Sequence, residues 1–253
     1  MEEQAASLLN VIPATLHDLL LARLDRMAAD REVIQLAATI GREFSFELLA
    51  ASCTLPEADL HRELDKLVKA EILFQKGKAD DASYIFKHAL LQDAAYRSML
   101  TKKRQTCHQR IAEVLETRFA EVAASQPALL AQHFGEAGLI DKAIEYWLKA
   151  GQRSAVASAV PEAIQQFTRG LELVRSLPAS PHRDELELQY QMPLGGTLVQ
   201  AKGYGASEPG AVFARAREIC EQLGRRQELG VVLAGMWGWT LVRAEYAEAL
   251  RLA

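Results

Sequence analysis

Six histidines, at positions 17, 61, 88, 108, 133 and 182, are the side chains best suited to proton transfer or metal ligation. Their spacing suits neither task, because a helical zinc pair needs an H-E-x-x-H pattern and none is present. Cys107 and His108 are adjacent, so on a helix their side chains diverge by about 100°. Cys53, Cys107 and Cys220 stand far apart with no C-x-x-C, which reads as reduced thiols and not as a disulfide frame. The one Gly-Lys pair, Gly77-Lys78, is followed by Ala79, where a phosphate cradle needs Ser or Thr. A G-x-S-x-G elbow is also absent. These residues form no catalytic or metal-binding constellation, so the isolated chain is expected to be no enzyme and to need no cofactor.

Charged residues argue about partners. The chain holds 33 acids and 29 bases, a net charge of −4 that is shared evenly between its halves. A nucleic-acid surface needs a local excess of bases. The helix expected after Pro56 carries Arg62, Lys66 and Lys69, but also Glu57, Asp59, Glu63 and Asp65. Those acids oppose a phosphate backbone, and a groove reader normally presents Arg, Lys, Asn or Gln. Lys102-Lys103-Arg104 reads as a solvated helix face. No nucleic-acid partner is expected.

The elements that must position these residues are mostly helices, since Leu and Ala dominate while Gly (15) and Pro (8) are modest. At 253 residues the chain suits one large or two small domains. Leu16, Leu20, Leu24 and Met27 predict a helix over about 14–27, behind Pro13. Val33, Leu36, Ala37 and Ile40 predict a second, with Gly41 suited to its C-terminal cap. A short third helix is expected over 44–53. The fourth, opened by Pro56, carries Leu60, Leu64, Leu67 and Val68 on one face. Two β-prone runs, 72–74 and 84–86, flank polar turn residues 76–82 and predict a hairpin. Helices followed by a hairpin give the order of a winged helix, placed at 29–105.

From 106 onward, helix follows helix. Ile111, Leu115, Phe119 and Val122 predict one, and 129–134 another. Trp147, Ala150-Gly151, Ala163, Phe167 and Gly170 match the large-small-small-aromatic-small spacing of a tetratricopeptide repeat. Ala234-Gly235 and Ala247 echo it, and a further helix over 207–223 follows the Gly203-Tyr204-Gly205 turn. The fold class expected is mainly α: a winged helix, then a tetratricopeptide-like α-α superhelix over 106–253. An unrelated helical bundle is the alternative for the second part. Trp147, Phe167, Trp237 and Trp239 are expected in its core, and Tyr204 in an exposed loop. Residues 251–253 carry no helix stop signal, so the array is expected to be truncated. The acidic start lacks a signal-peptide pattern, and the longest uncharged stretch, 229–242, is only 14 residues. A cytoplasmic protein without a membrane partner is expected.

Several motifs in a fixed order resemble one bacterial family. They are Ile12-Pro13-Ala14-Thr15-Leu16, Leu21-Ala22-Arg23-Leu24-Asp25-Arg26, Gly41-Arg42-Glu43-Phe44, and the run from Phe86-Lys87-His88-Ala89-Leu90 to Asp93-Ala94-Ala95-Tyr96. They look like the region downstream of the nucleotide-binding domain in predicted ATPases of the signal-transduction (STAND) class. Such ATPases are often fused to class III adenylate cyclase or LuxR-type output domains. The resemblance covers about residues 10–175 and, more loosely, the rest.

It implies the order ATPase core, winged helix, tetratricopeptide-like sensor. Residues 1–28 would then be a linker helix from an ATPase core. This chain holds no Walker motif and no cyclase domain, which implies neither ATP hydrolysis nor cyclic AMP synthesis by the isolated chain. The resemblance also implies that His88 contacts the β-phosphate of ATP or ADP when an ATPase core is present. An imidazole N–H can donate to a phosphate oxygen; the plainer reading is that His88 caps or packs at a strand–helix junction. The function implied is a non-catalytic regulatory module. Its winged helix would gate an ATPase domain in cis or trans, and its repeats would sense a protein partner or small effector. A free-standing tetratricopeptide adaptor and a DNA-binding regulator are the alternatives.

Overall fold

The computed structural model describes residues 31–77 and 82–252. The helix expected over 14–27, the linker assigned to 1–28 and most of the hairpin turn lie outside the described residues. Those described form thirteen helices and one three-stranded sheet, in two compact units. One unit takes in residues up to 120 with 136–138; the other takes in 121–135 and 139 onward.

The first unit runs α1 (Arg31–Ile40), β1 (Glu43–Ser45), α2 (Phe46–Ser52), α3 (Glu57–Lys69), β2 (Leu73–Lys76), β3 (Ser83–Phe86), α4 (Ala89–Arg97) and α5 (Thr101–Arg118). Its sheet order is β1-β3-β2, with both pairings antiparallel. The third helix expected over 44–53 is therefore corrected. Glu43–Ser45 is extended, with Glu43 opposite Ile85 and Ser45 opposite Ser83, and only Phe46–Ser52 is helical. Two causes are visible. Phe44 is buried on the sheet, its ring stacked 5.8 Å from Tyr84, while Glu43 and Ser45 face out. Ser45 Oγ then accepts the Leu48 N–H at 3.2 Å, starting the helix two residues later than expected. The core gathers Leu36, Leu49, Leu60, Leu64, Leu67, Ile72 and Phe86, all essentially sealed from solvent. Each contributes roughly 1.5–3 kcal/mol of burial.

The helix expected to carry Ile111, Leu115, Phe119 and Val122 breaks at Phe119, whose φ of −118° and ψ of 53° leave the helical region. Helix α5 ends at Arg118, and α6 (Ala120–Ser125) begins anew. The domain boundary expected between 105 and 106 falls inside α5.

In the second unit α7 (Pro127–Glu136), α8 (Ile140–Val156), α9 (Val160–Ser176), α10 (Pro181–Lys202), α11 (Ser207–Leu223), α12 (Arg226–Val242) and α13 (Tyr246–Leu252) follow through short turns. From α8 onward each helix packs on its sequence neighbour. Glycines set how closely. A Cβ on Gly151 would stand 2.4 Å from the Phe167 ring, one on Gly170 2.2 Å from Tyr190, one on Gly195 2.7 Å from Phe213, and one on Gly210 2.4 Å from Trp239. At each of these four junctions an aromatic ring occupies the space that a Cβ would take. Pro193, inside α10, lacks the N–H that an interior residue donates, and Thr197 Oγ donates to its carbonyl at 2.7 Å.

Candidate functional site

His88 sits where the central strand becomes a helix. Backbone bonds fix that junction: Phe86 N–H donates to Arg42 O and Lys87 N–H to Ile72 O, each at 2.9 Å. His88 then takes the N-cap position of α4 with extended backbone, φ −128° and ψ 126°, and its carbonyl accepts from Leu91 N–H at 3.0 Å. Behind it α4 buries Leu91, Ala94 and Ala95, and Gln92 Nε2 donates to Ala38 O at 3.2 Å. The imidazole itself is exposed and makes no capping bond. Beside it Lys87 Nζ is paired with Glu71 at 3.3 Å.

Two depressions mark the same unit. A cleft of about 400 Å³ is lined by Phe46, Ala50, Leu55, Glu57, Arg118 and Phe119, and the Phe46 ring stacks on His61 at 4.1 Å. A groove of about 350 Å³ runs between Leu100, Lys103, Cys107, Arg110 and Glu32. Burial pushes the Cys107 thiol upward, a direction that Lys103 and Arg110 only partly oppose. A thiol so placed is a poor nucleophile at neutral pH. Neither depression brings a nucleophile within hydrogen-bond reach of a base. Among the described residues no group of three or more His, Cys, Asp or Glu could hold a metal ion.

The remaining candidates separate into structural roles. Arg62 pairs with Asp59 and Lys66 with Glu63 at 2.7 Å, so bases of α3 are neutralised by its own acids. Lys102 and Lys103 face solvent, as expected, whereas the Arg104 guanidinium lies 5.5 Å over the Tyr96 ring. Trp147 and Phe167 are core residues, as expected. Trp239 is half-buried, and its Nε1 donates to Ala206 O at 2.6 Å. Trp237 departs from expectation: it is 43% exposed. Tyr204 is exposed in its loop, as its glycine neighbours suggest. All three cysteines are free thiols.

Two polar pairs escape sequence reasoning. Tyr96 Oη lies 2.9 Å from His108 Nε2, both on elements packed in the first unit. In the second, buried Glu187 accepts two bonds from Arg215, Nε at 3.1 Å and Nη2 at 2.9 Å. Gln191 Nε2 adds a third at 3.2 Å. The Arg215 hydrogen bonds hold the Glu187 carboxyl below its ordinary range despite its burial. The separation of 28 residues between the partners leaves no periodic trace; only the unusual placement of Glu187 among apolar positions of α10 marks it.

The chain is 28% identical over 231 residues to an uncharacterized protein of Rhizobium meliloti (strain 1021). That match takes in 89% of this chain and 22% of the relative's length, so the chain spans about a fifth of the protein it matches. No family model matches the chain, and no solved structure does. Among the described residues no helix is long and apolar enough to cross a membrane.

Proposed function

We propose that this chain is a non-catalytic regulatory and protein-interaction module of a STAND-type ATPase or adenylate-cyclase-like signalling protein. The first unit reads as a winged helix that gates a nucleotide-binding domain. The order α1, β1, α2, α3, β2, β3 supports this, with β1 completing the sheet beside the β2–β3 wing. The second unit reads as a tetratricopeptide-like array that takes up a protein or small effector. Its support is the succession of close-packed helix neighbours with Gly151, Ala163, Phe167 and Gly170 at the contacts.

One observation carries the gating role. The His88 backbone is held by hydrogen bonds of its neighbours and through its own carbonyl, while its imidazole is exposed at the start of α4 and makes no capping bond. Such a group can donate to a phosphate oxygen of ADP or ATP held by an ATPase domain, and so report which nucleotide is present. The module itself holds no nucleotide and turns nothing over. A DNA-reading role is disfavoured by the paired bases of α3.

The test is nucleotide release from the longer parent protein, with its P-loop domain in place. His88→Ala should speed ADP release, and a chain whose ADP release is unchanged would remove the gating role. The 253-residue chain alone should show no ATP turnover. Turnover abolished by a point change within it would overturn the non-catalytic reading.

A further inference from the structure

Several surface charges of the first unit answer one another: Arg62 with Asp59, Lys66 with Glu63, and Lys87 with Glu71. Two others do not. Glu47, in the first turn of α2, and Arg118, in the last turn of α5, pair with none of the described residues and do not reach each other. Yet both line the same cleft of about 400 Å³. Small side chains make the space between them, since Ala50 and Ala51 stand at successive positions of α2 on its wall. Its apolar lining comes from Phe46, Leu55 and Phe119. The Phe46 ring is 3% exposed and is held by stacking on His61, with 15° between the planes, so it is fixed before anything binds. The volume lies at the small end of ligand pockets, which run from roughly 300 to 1,000 Å³, and suits a small molecule rather than a folded segment.

Charge selects the class of molecule. A carboxylate alone would answer Arg118 but meet Glu47 and Glu57, also on the lining, as like charges. An amine alone would answer the acids and be repelled by Arg118. A molecule that carries both groups answers both, and an apolar side chain between them covers the Phe46 and Leu55 surface. Of the two acids Glu47 is the better partner for an ammonium, because Glu57 already stands 4.0 Å from His61 Nε2. Phosphate and nucleic acid are disfavoured by the same two carboxylates.

We propose that this cleft binds a free α-amino acid with an apolar side chain, its carboxylate on Arg118, its ammonium on Glu47 and its side chain on Phe46, Leu55 and Phe119. The assignment is independent of nucleotide gating, because His88 is not among the lining residues. The test is an NMR titration of the full 253-residue chain with L-phenylalanine and with L-leucine. Amide signals of Glu47, Ala50, Ala51 and Phe119 should shift with a dissociation constant of about 1 mM, the weak affinity of ion pairs that stay in contact with water. L-phenylalaninamide lacks the carboxylate and 3-phenylpropionate lacks the ammonium. At about pH 6, where the amine stays charged, each should bind at least about tenfold more weakly than L-phenylalanine. Arg118→Gln should weaken L-phenylalanine about tenfold and erase its advantage over the amide. Glu47→Gln should erase its advantage over 3-phenylpropionate. Both side chains are exposed, so neither change should lower the melting temperature of the ligand-free chain. Absence of any shift at about 10 mM of either amino acid, equal binding of the three phenyl compounds, or unchanged binding in Arg118→Gln overturns the proposal.

Discussion

The Tyr96 hydroxyl lies 2.9 Å from His108 Nε2, and the two rings meet edge to face at 5.7 Å. His108 is 5% exposed, and its burial, with the Arg104 charge nearby, lowers its pKa to about 4. The imidazole is therefore neutral in the folded protein at neutral pH. The unfolded chain takes up a proton near pH 6.5, while the folded chain resists until about 4. Stability is present above the unfolded value and is lost as pH falls through that window. The loss approaches about 3 kcal/mol at its lower end. Thermal melts between pH 7 and 4.5 should show the first unit weakening, and His108→Gln should flatten that dependence.

Arg215 is the counter-ion of a buried carboxylate. Arg215→Met should destabilise the second unit by about 3–5 kcal/mol, because Glu187 is left charged and without its bidentate partner. The pair Glu187→Leu with Arg215→Met should recover most of that loss. Chemical denaturation of the three variants checks both statements.

Glycines at helix contacts and glycines in open space should respond with opposite signs. Gly170→Ala places a Cβ 2.2 Å from Tyr190 and should cost roughly 1–3 kcal/mol. Gly196→Ala, in the same array with nothing within 4 Å, should stabilise by about 0.5–1 kcal/mol. Their melting temperatures, measured side by side, test whether ring-on-glycine contact sets the helix spacing.

His88→Ala should leave the melting temperature of the 253-residue chain unchanged, since the imidazole is exposed and caps nothing. If the proposed gating role holds, the same change in a longer parent carrying an ATPase domain should accelerate ADP release roughly 10- to 150-fold, the equivalent of losing a charge-assisted hydrogen bond of about 1.5–3 kcal/mol. A large melting loss in the isolated chain would assign His88 a structural role instead.

Helix positions were legible in the sequence wherever one face repeats at 3–4 residues, as with Leu60, Leu64 and Leu67, all sealed in the core. The small-large spacing from Trp147 to Gly170 likewise announced close helix contacts, because a glycine at fixed distance from an aromatic is a purely local pattern. Strand β1 was not legible. Three residues carry too little periodicity, and Glu43–Ser45 is extended only because β3 lies beside it to accept the pairing. The Arg215–Glu187 and Tyr96–His108 pairs were equally hidden, since each joins residues on different helices that only packing brings within 3.2 Å. His88 was visible by its motif, but whether its ring was buried or free depended on how β3 and α4 meet. Composition and spacing determined which segments are helical and which residues want burial. The tertiary structure decided which polar groups meet and which aromatic residues, Trp147 and Phe167 but not Trp237, are buried, because those outcomes depend on distances between elements that no local pattern encodes.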